Sequence, residues 1–390
     1  MLALLTVLGS PDSWCLRVAY SSALALFGIG CEGRTAPTYD EGVGFGETAD
    51  EAESGGSEAE STEDEGSGES GGSLDCKAVV DHLEVIETSD RASVACVQEV
   101  LGDLTVGPTT TLSDLELLSN LRHVGGSLTI VGNLELSSLS GLEQLEHVSW
   151  LHIRRNHQLT DLHGLGGLVW IDEITISNND ALVELAGLPD GLSPSRVEVS
   201  GNDVLPSLVG LPKLIAAGGP LELVVADNDA LGGLAGLSAC CAEQLVGVEI
   251  ARNATLEDLG GLESFAELDS LRLIDNMNLV DLAGIDNVAR IGELEIGFDH
   301  CSGQVSALVS LDGAQAVTTI DTLRIWWAAS LTSLDGLAGL SDLSTLEIAN
   351  NELLNWSEVL GLADQSGPSL IDACGGIDGP ACDPDPCPTF

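Results

Sequence analysis

The chain has 390 residues, 44% of them hydrophobic but only 3% aromatic, with 62 acidic against 13 basic side chains and a formal net charge of -49. Nucleic acid is excluded as a partner, because the counterion release that drives such binding needs clustered Lys and Arg. Direct electrostatic attachment to an anionic membrane surface is excluded on the same ground.

Residues 1–31 are expected to be a signal peptide. Arg17 is the first positive charge; a short apolar run follows and ends in Gly30-Cys31. The run is too short for a spanning helix and suits a secretory signal. Its end resembles a bacterial lipobox, with Cys31 as the lipidated cysteine, although Gly28 stands where that motif usually carries Leu. The alternative is an ordinary signal peptide with an incidental cysteine. Because no basic residue precedes Arg17, translation is expected to start near Leu16 or Val18. Attachment through several acyl chains would be stable, whereas one chain binds marginally.

Residues 32–75 are rich in Gly, Ser, Glu and Asp, as in Glu63-Asp64-Glu65 and Gly66-Ser67-Gly68. Such a segment cannot offset its ordering entropy and reads as a disordered acidic tether. As a flexible coil it spans roughly 35–40 Å, and more under like-charge repulsion. A metal-buffering acidic tail is the alternative. Residues 76–103 are expected to form an N-terminal cap.

From residue 104 to 373 a unit of about 23 residues recurs, clearest in Leu128, Ile130, Asn133, Leu136, Leu139, Gly141 and Leu142. Its aliphatic pairs start at Leu104, Leu128, Leu151, Ile174, Val197, Leu223, Val248, Leu271, Leu294, Leu323 and Leu346. Repetition at this period is the signature of a solenoid. Alternation with period two marks each pair as a short strand with one buried face, and stacked strands would give one parallel sheet. Asn133, Asn156, Asn179, Asn202, Asn228, Asn253, Asn276 and Asn351 follow at a fixed offset. An amide both donates and accepts, so this column is expected to be a structural ladder. Gly141, Gly164, Gly187, Gly210, Gly236, Gly261, Gly284, Gly336 and Gly361 are expected to supply positive φ or close packing at the following turn. The units from Val197 and Leu223 run long, near Cys240-Cys241. The unit from Leu294 is longer still, with Asp299 and then Ala328 in the Asn slot and Cys301 nearby. Such insertions map to loops on one side of a solenoid, as binding loops or as tolerated drift.

The run from Cys96 to Val106, then Val124-Gly-Gly-Ser-Leu-Thr-Ile130 and Asn133, resembles the receptor L domain over roughly residues 76–362. That domain forms ligand-binding lobes of insulin-type and epidermal-growth-factor-type receptors, and similar repeats occur in bacterial surface lipoproteins. The resemblance implies a right-handed parallel β-solenoid of about eleven repeats. A leucine-rich-repeat horseshoe is the alternative. No receptor ligand carries over.

Residues 374–390 form a Cys- and Pro-rich tail. An even number of cysteines in an exported chain favours disulfides. Cys76 with Cys96 would close the N-terminal cap, and Cys374 with Cys382 or Cys387 would staple the tail. Zinc is the alternative, without a CxxC pair to support it.

Two surfaces are candidates. By alternation, Arg154, Arg196, Arg272 and Arg324 point outward from the sheet with Trp150, His152 and Trp326, residue types enriched at interface hot spots. They would bind an anionic or glycan ligand, or merely pair with Glu173, Glu198, Glu249, Glu295 and Glu347. Asp180, Asp203 and Asp229, each directly after a ladder Asn, would stack roughly 5 Å apart and make a weak Ca²⁺ candidate or a solvated acidic edge. Nucleophile elbows, phosphate loops and HExxH are absent from the chain, and no cofactor is implied. The expectation is a non-catalytic recognition or adhesion protein of the bacterial cell envelope, lipid-anchored at the outer membrane or cell surface, with an unknown protein or glycan partner. A structural envelope lipoprotein and a polysaccharide-degrading β-helix enzyme are the alternatives.

Overall fold

Every aliphatic pair that the repeat marks becomes a strand, and every pair stacks in register. In the computed structural model Leu104 lies opposite Leu128, Leu128 opposite Leu151, and the row continues without a slip to Leu346. The chain divides into two units, residues 1–68 and 69–390. The structure describes residues 77–215, 221–241, 246–298 and 306–382, all within the second unit. Cys31, the tether, Cys76, Asp299, Cys301 and Cys387 therefore lie outside the described residues, as do the side chains of Cys240 and Cys241.

The strands in chain order are β1 (Val79–Val80), β2 (Leu83–Val85), β3 (Glu99–Val100), β4 (Leu104–Val106), β5 (His123–Val131), β6 (His147–Arg154), β7 (Glu173–Ser177) and β8 (Arg196–Ser200). They continue as β9 (Leu221–Ala226), β10 (Val246–Ala251), β11 (Glu267–Ile274), β12 (Arg290–Gly297), β13 (Thr319–Trp326), β14 (Asp342–Ala349) and β15 (Leu370–Ala373). All form one parallel sheet: β1 pairs β3 and β2 pairs β4, β3 and β4 both pair β5, and from β5 to β15 the strands follow in sequence order. The unit is a parallel β-solenoid of about 12 turns at about 23-residue spacing, with little helix.

The stack is longer than the repeat pattern at both ends. Leu83 and Val85 extend the two aliphatic columns below Leu104 and Val106, so the expected cap is itself a rung, closed by the short helix α1 (Arg91–Val94). At the other end Ile371 and Ala373 continue the columns beyond Leu346 and Ile348. The final turn carries α3 (Trp356–Ser366), which follows α2 (Leu237–Cys241) in the chain. In α3 Asn355 caps the start, Gly367 ends the helix in the left-handed region, and Val359 and Leu362 are buried. Gln365 Nε2 donates to the carbonyls of Leu337, Ala338 and Leu340 at 3.2, 3.0 and 2.6 Å, tying α3 to the preceding turn.

The core is one continuous aliphatic interior in which nearly every column residue from Val85 to Ile348 is buried. The asparagine ladder runs beside it. Asn156 Nδ2 donates to the Ile130 carbonyl at 3.0 Å, and its Oδ1 accepts the Asn133 backbone N–H at 3.2 Å. The same two bonds recur rung after rung, and Thr109 starts the column by donating to Asn133 Oδ1 at 2.8 Å. Ala328 leaves a gap; its backbone N–H still donates to Asn351 Oδ1 at 2.8 Å, but it has no amide to pass downward. Leaving such backbone groups unpaired costs about 1–3 kcal/mol each.

Two turn columns complete the rung. The residue before each ladder position adopts the left-handed region, including Arg155 (φ 56°), Asp227 (φ 56°), Arg252 (φ 53°) and Trp327 (φ 60°) as well as Gly132 and Gly201. Three residues before the repeat glycine, an Asp or Ser side chain accepts the N–H two residues on, as Asp161 does from His163 at 2.9 Å and Asp258 from Gly260 at 2.8 Å. Gly141, at φ 110°, is typical of the glycine column: a Cβ there would collide with the Leu115 carbonyl of the rung below. Two expected members differ. Gly336 lies in a 3₁₀ turn (Asp335–Leu337), where close approach to Leu311 and not φ demands glycine. Gly361 is inside α3 with open space around it, so nothing there requires glycine.

Candidate functional site

The outward positions of the sheet split into two unlike halves. On β8 to β14 they carry a net of ion pairs. Arg196 meets Glu222 at 2.6 Å on the next rung and Glu198 at 3.2 Å on its own. Arg272 lies 3.5 Å from both Glu293 and Glu295 and 4.0 Å from Glu249. Arg324 pairs with Glu347 at 2.8 Å and also with Glu293. Four of the five glutamates expected as partners take that role. Glu173 is in no ion pair among the described residues; Glu222 joins instead because it lies directly opposite Arg196, and Glu293 because long side chains reach diagonally between rungs.

The Arg196 and Arg272 pairs are partly exposed and worth about 0.2–1 kcal/mol each, while Arg324 is only 14% exposed. Burial opposes ionisation of the Arg272 guanidinium, but the glutamates around it outweigh that and raise its pKa. Burial pushes the Glu295 carboxyl up, against the pull of Arg272. Arg272 Nε is buried without a hydrogen-bond partner among the described residues. A groove of about 470 Å³ runs along this half where Gly247 and Ser270 leave room between Glu222 and Glu293. Beside it Val224, Ala226, Ala251 and Ile274 form a small buried apolar cluster on positions that alternation makes outward.

The half on β5 to β7 is different. Strand β6 presents Trp150, His152 and Arg154 at alternate positions, flanked by Ser127 and Thr129 on β5 and by Glu173, Thr175 and Ser177 on β7. Further along, His123 and His147 place their rings 5.8 Å apart, and Trp170 bridges to His147 on the next rung. Trp150 and Trp170 are 41% and 46% exposed, large values for indoles in a chain so poor in aromatics. Arg154 is in no ion pair among the described residues. Burial and then the Arg154 charge lower the His152 pKa, with Glu173 and Glu198 pulling the other way. His152 is therefore a neutral imidazole at pH 7, able to donate and accept.

Of the seven residues expected on the face, the fold brings Trp150, His152 and Arg154 together. Arg196, Arg272 and Arg324 are engaged elsewhere, and half-buried Trp326 sits seven rungs from β6, roughly 30–35 Å along the stack. They do not make one site. Trp170, His123 and His147 belong to the β6 patch but lie outside the aliphatic pair that defines the repeat, so alternation alone did not reach them.

The aspartate column gives no convergent site. Asp180 instead takes His157 Nδ1 at 2.8 Å from the rung below. Among the described residues the group whose ligand atoms lie within 4.8 Å of one another is Asp161, His163 and Glu184. Asp161 there already serves its own turn and lies 3.0 Å from His163 Nδ1.

Cys374 and Cys382 form a disulfide with Cα atoms 5.0 Å apart, choosing between the two tail pairings. Cys96 is disulfide-bonded as well, its expected partner Cys76 being outside the described residues. Compared with known proteins, the chain matches no family model and no curated protein. No helix among the described residues is long and apolar enough to cross a membrane.

Proposed function

We propose that this protein is a non-catalytic recognition or adhesion module of the bacterial envelope, held by a lipid on Cys31 and contacting a protein or glycan through the sheet face. The receptor L-domain resemblance of the repeats agrees with a display scaffold. The observation that carries the reading is the contrast across the face: β8 to β14 satisfy their own charges, while β6 leaves Trp150 and Arg154 turned to solvent, Arg154 without an ion pair among the described residues. A purely structural rod has no use for two exposed indoles on one end of its sheet.

Hydrolysis of a glycan is not favoured. It needs two carboxylates flanking the scissile bond, and Glu173 is the single carboxylate on the outward positions of β5 to β7. Protein and glycan arrays probed with the full chain carrying Cys31→Ser test the reading. Specific capture that Trp150→Ala abolishes is expected. Silence on every array, with a folded protein, would leave the structural-lipoprotein alternative standing.

A further inference from the structure

The patch on β5 to β7 also says what kind of molecule fits it. We propose that this end of the sheet binds a neutral polysaccharide, with sugar rings stacked on Trp150 and Trp170 and their hydroxyls met by His147, His152 and Arg154. The inference rests on the recognition role given above and narrows its ligand.

Charge is the first argument. An anionic ligand needs free cations, yet Arg196, Arg272 and Arg324 are each held by glutamates on their own or neighbouring rungs. Arg154 is the one cation on the outward positions of β5 to β7, and the chain's net charge of -49 repels a polyanion at long range. A ligand without charge is indifferent to that field.

The second argument is the donor set. Outward positions around Trp150 are hydroxyls, an imidazole and one carboxylate: Ser127, Thr129, Thr175 and His152, which both donate and accept, and Glu173 directly opposite on the next rung, which accepts. Sugar hydroxyls are matched by groups of that kind. A protein partner instead needs about 800 Å² on each side and a contiguous apolar centre. The small polar residues between the two indoles do not supply one.

Spacing is the third. Trp170 lies beside His147, which precedes Trp150 by three residues on β6, so the indoles stand roughly 10 Å apart along the strand direction. Two rings of a single extended sugar chain would span that distance.

The test is native electrophoresis of the full-length chain through gels containing soluble β-glucan, xylan, galactomannan or dextran, with alginate and heparin as anionic arms. Retardation by at least one neutral polymer is expected, undiminished by high salt. Trp150→Ala and Trp170→Ala should each weaken it about tenfold or more, and Trp326→Ala should not. Unchanged melting curves show that the variants fold, and Trp150→Phe should retain part of the affinity. Neutral-polymer binding that survives both tryptophan changes would overturn the site but leave recognition intact. Binding confined to the anionic polymers and lost in salt, or Trp150-dependent capture of proteins alone, would overturn the ligand class. No binding to any polymer or to any arrayed protein would overturn both this inference and the recognition role.

Discussion

Asn202 Oδ1 accepts the backbone N–H of Asn179 at 3.1 Å, while Asn202 Nδ2 donates to the Ile176 carbonyl at 3.0 Å. One buried amide thus closes two backbone groups of the rung below, and neither has water as an alternative. Asn202→Ala should destabilise the solenoid by about 1–3 kcal/mol in chemical denaturation. Asn202→Asp should do worse, since it keeps the acceptor, loses the donor and buries a charge. A midpoint unchanged by the alanine variant would show that the ladder is decorative.

The turn column before the ladder makes an opposite prediction for two neighbours. Arg155 holds φ at 56° and is exposed, whereas Gly201 occupies the equivalent place at φ 63°. Arg155→Gly should be neutral or stabilising by up to about 1 kcal/mol, because the side chain's left-handed strain is relieved. Gly201→Ala should cost about 1–2 kcal/mol, its Cβ falling 2.8 Å from Asn178 Oδ1. Thermal melts of the two variants, moving in opposite directions or not, decide the matter.

His152 should titrate below its ordinary value of 6.5. Since burial and then Arg154 lower it, Arg154→Ala should move the midpoint upward, readable from imidazole NMR shifts. The folded pKa is depressed, so the unfolded chain takes the proton first. His152 therefore costs nothing at pH 7 and above, and subtracts stability as pH falls through 6.5 toward the lower folded value. His152→Gln should flatten that part of the stability–pH profile; an unaltered slope there would refute the assignment.

The Cys374–Cys382 disulfide closes a short loop just after β15, where Cys374 N–H donates to the Ile348 carbonyl at 2.9 Å. Replacing both cysteines by Ser should loosen the last rung by roughly 2–3 kcal/mol of loop-closure entropy. In a stack whose rungs touch only their neighbours, the loss stays local. Amide exchange should quicken in β15 and α3 and remain slow in β5 to β11.

Much of the architecture is legible in the chain because one pattern is written many times. Period-two pairs such as Leu271 and Leu273 specify a buried face, and a fixed Asn offset specifies how rungs join. The terminal rungs were missed for the same reason: Leu83 with Val85, and Ile371 with Ala373, lack the ladder asparagine and the turn glycine that identify a unit. The site was legible only in part. Outward direction follows from alternation, so Trp150, His152 and Arg154 could be placed on a face. Whether a cation there is free depends also on diagonal reach, as from Arg324 to Glu293, which lies opposite Thr322, and period-two alternation does not state that. The left-handed column was invisible because Arg, Asp, Asn, Trp and Gly all occupy it.

The vacancy at Ala328 has a mechanical meaning. With no amide there, the rungs of β13 and β14 are seamed to those before them by strand pairing, packing and the Arg290–Asp321 and Arg324–Glu293 ion pairs, without the ladder bond. Under tension along the rod, that joint would part first. The C-terminal coils would then peel off as a sacrificial end, leaving the coils that carry Trp150 and Trp170 intact.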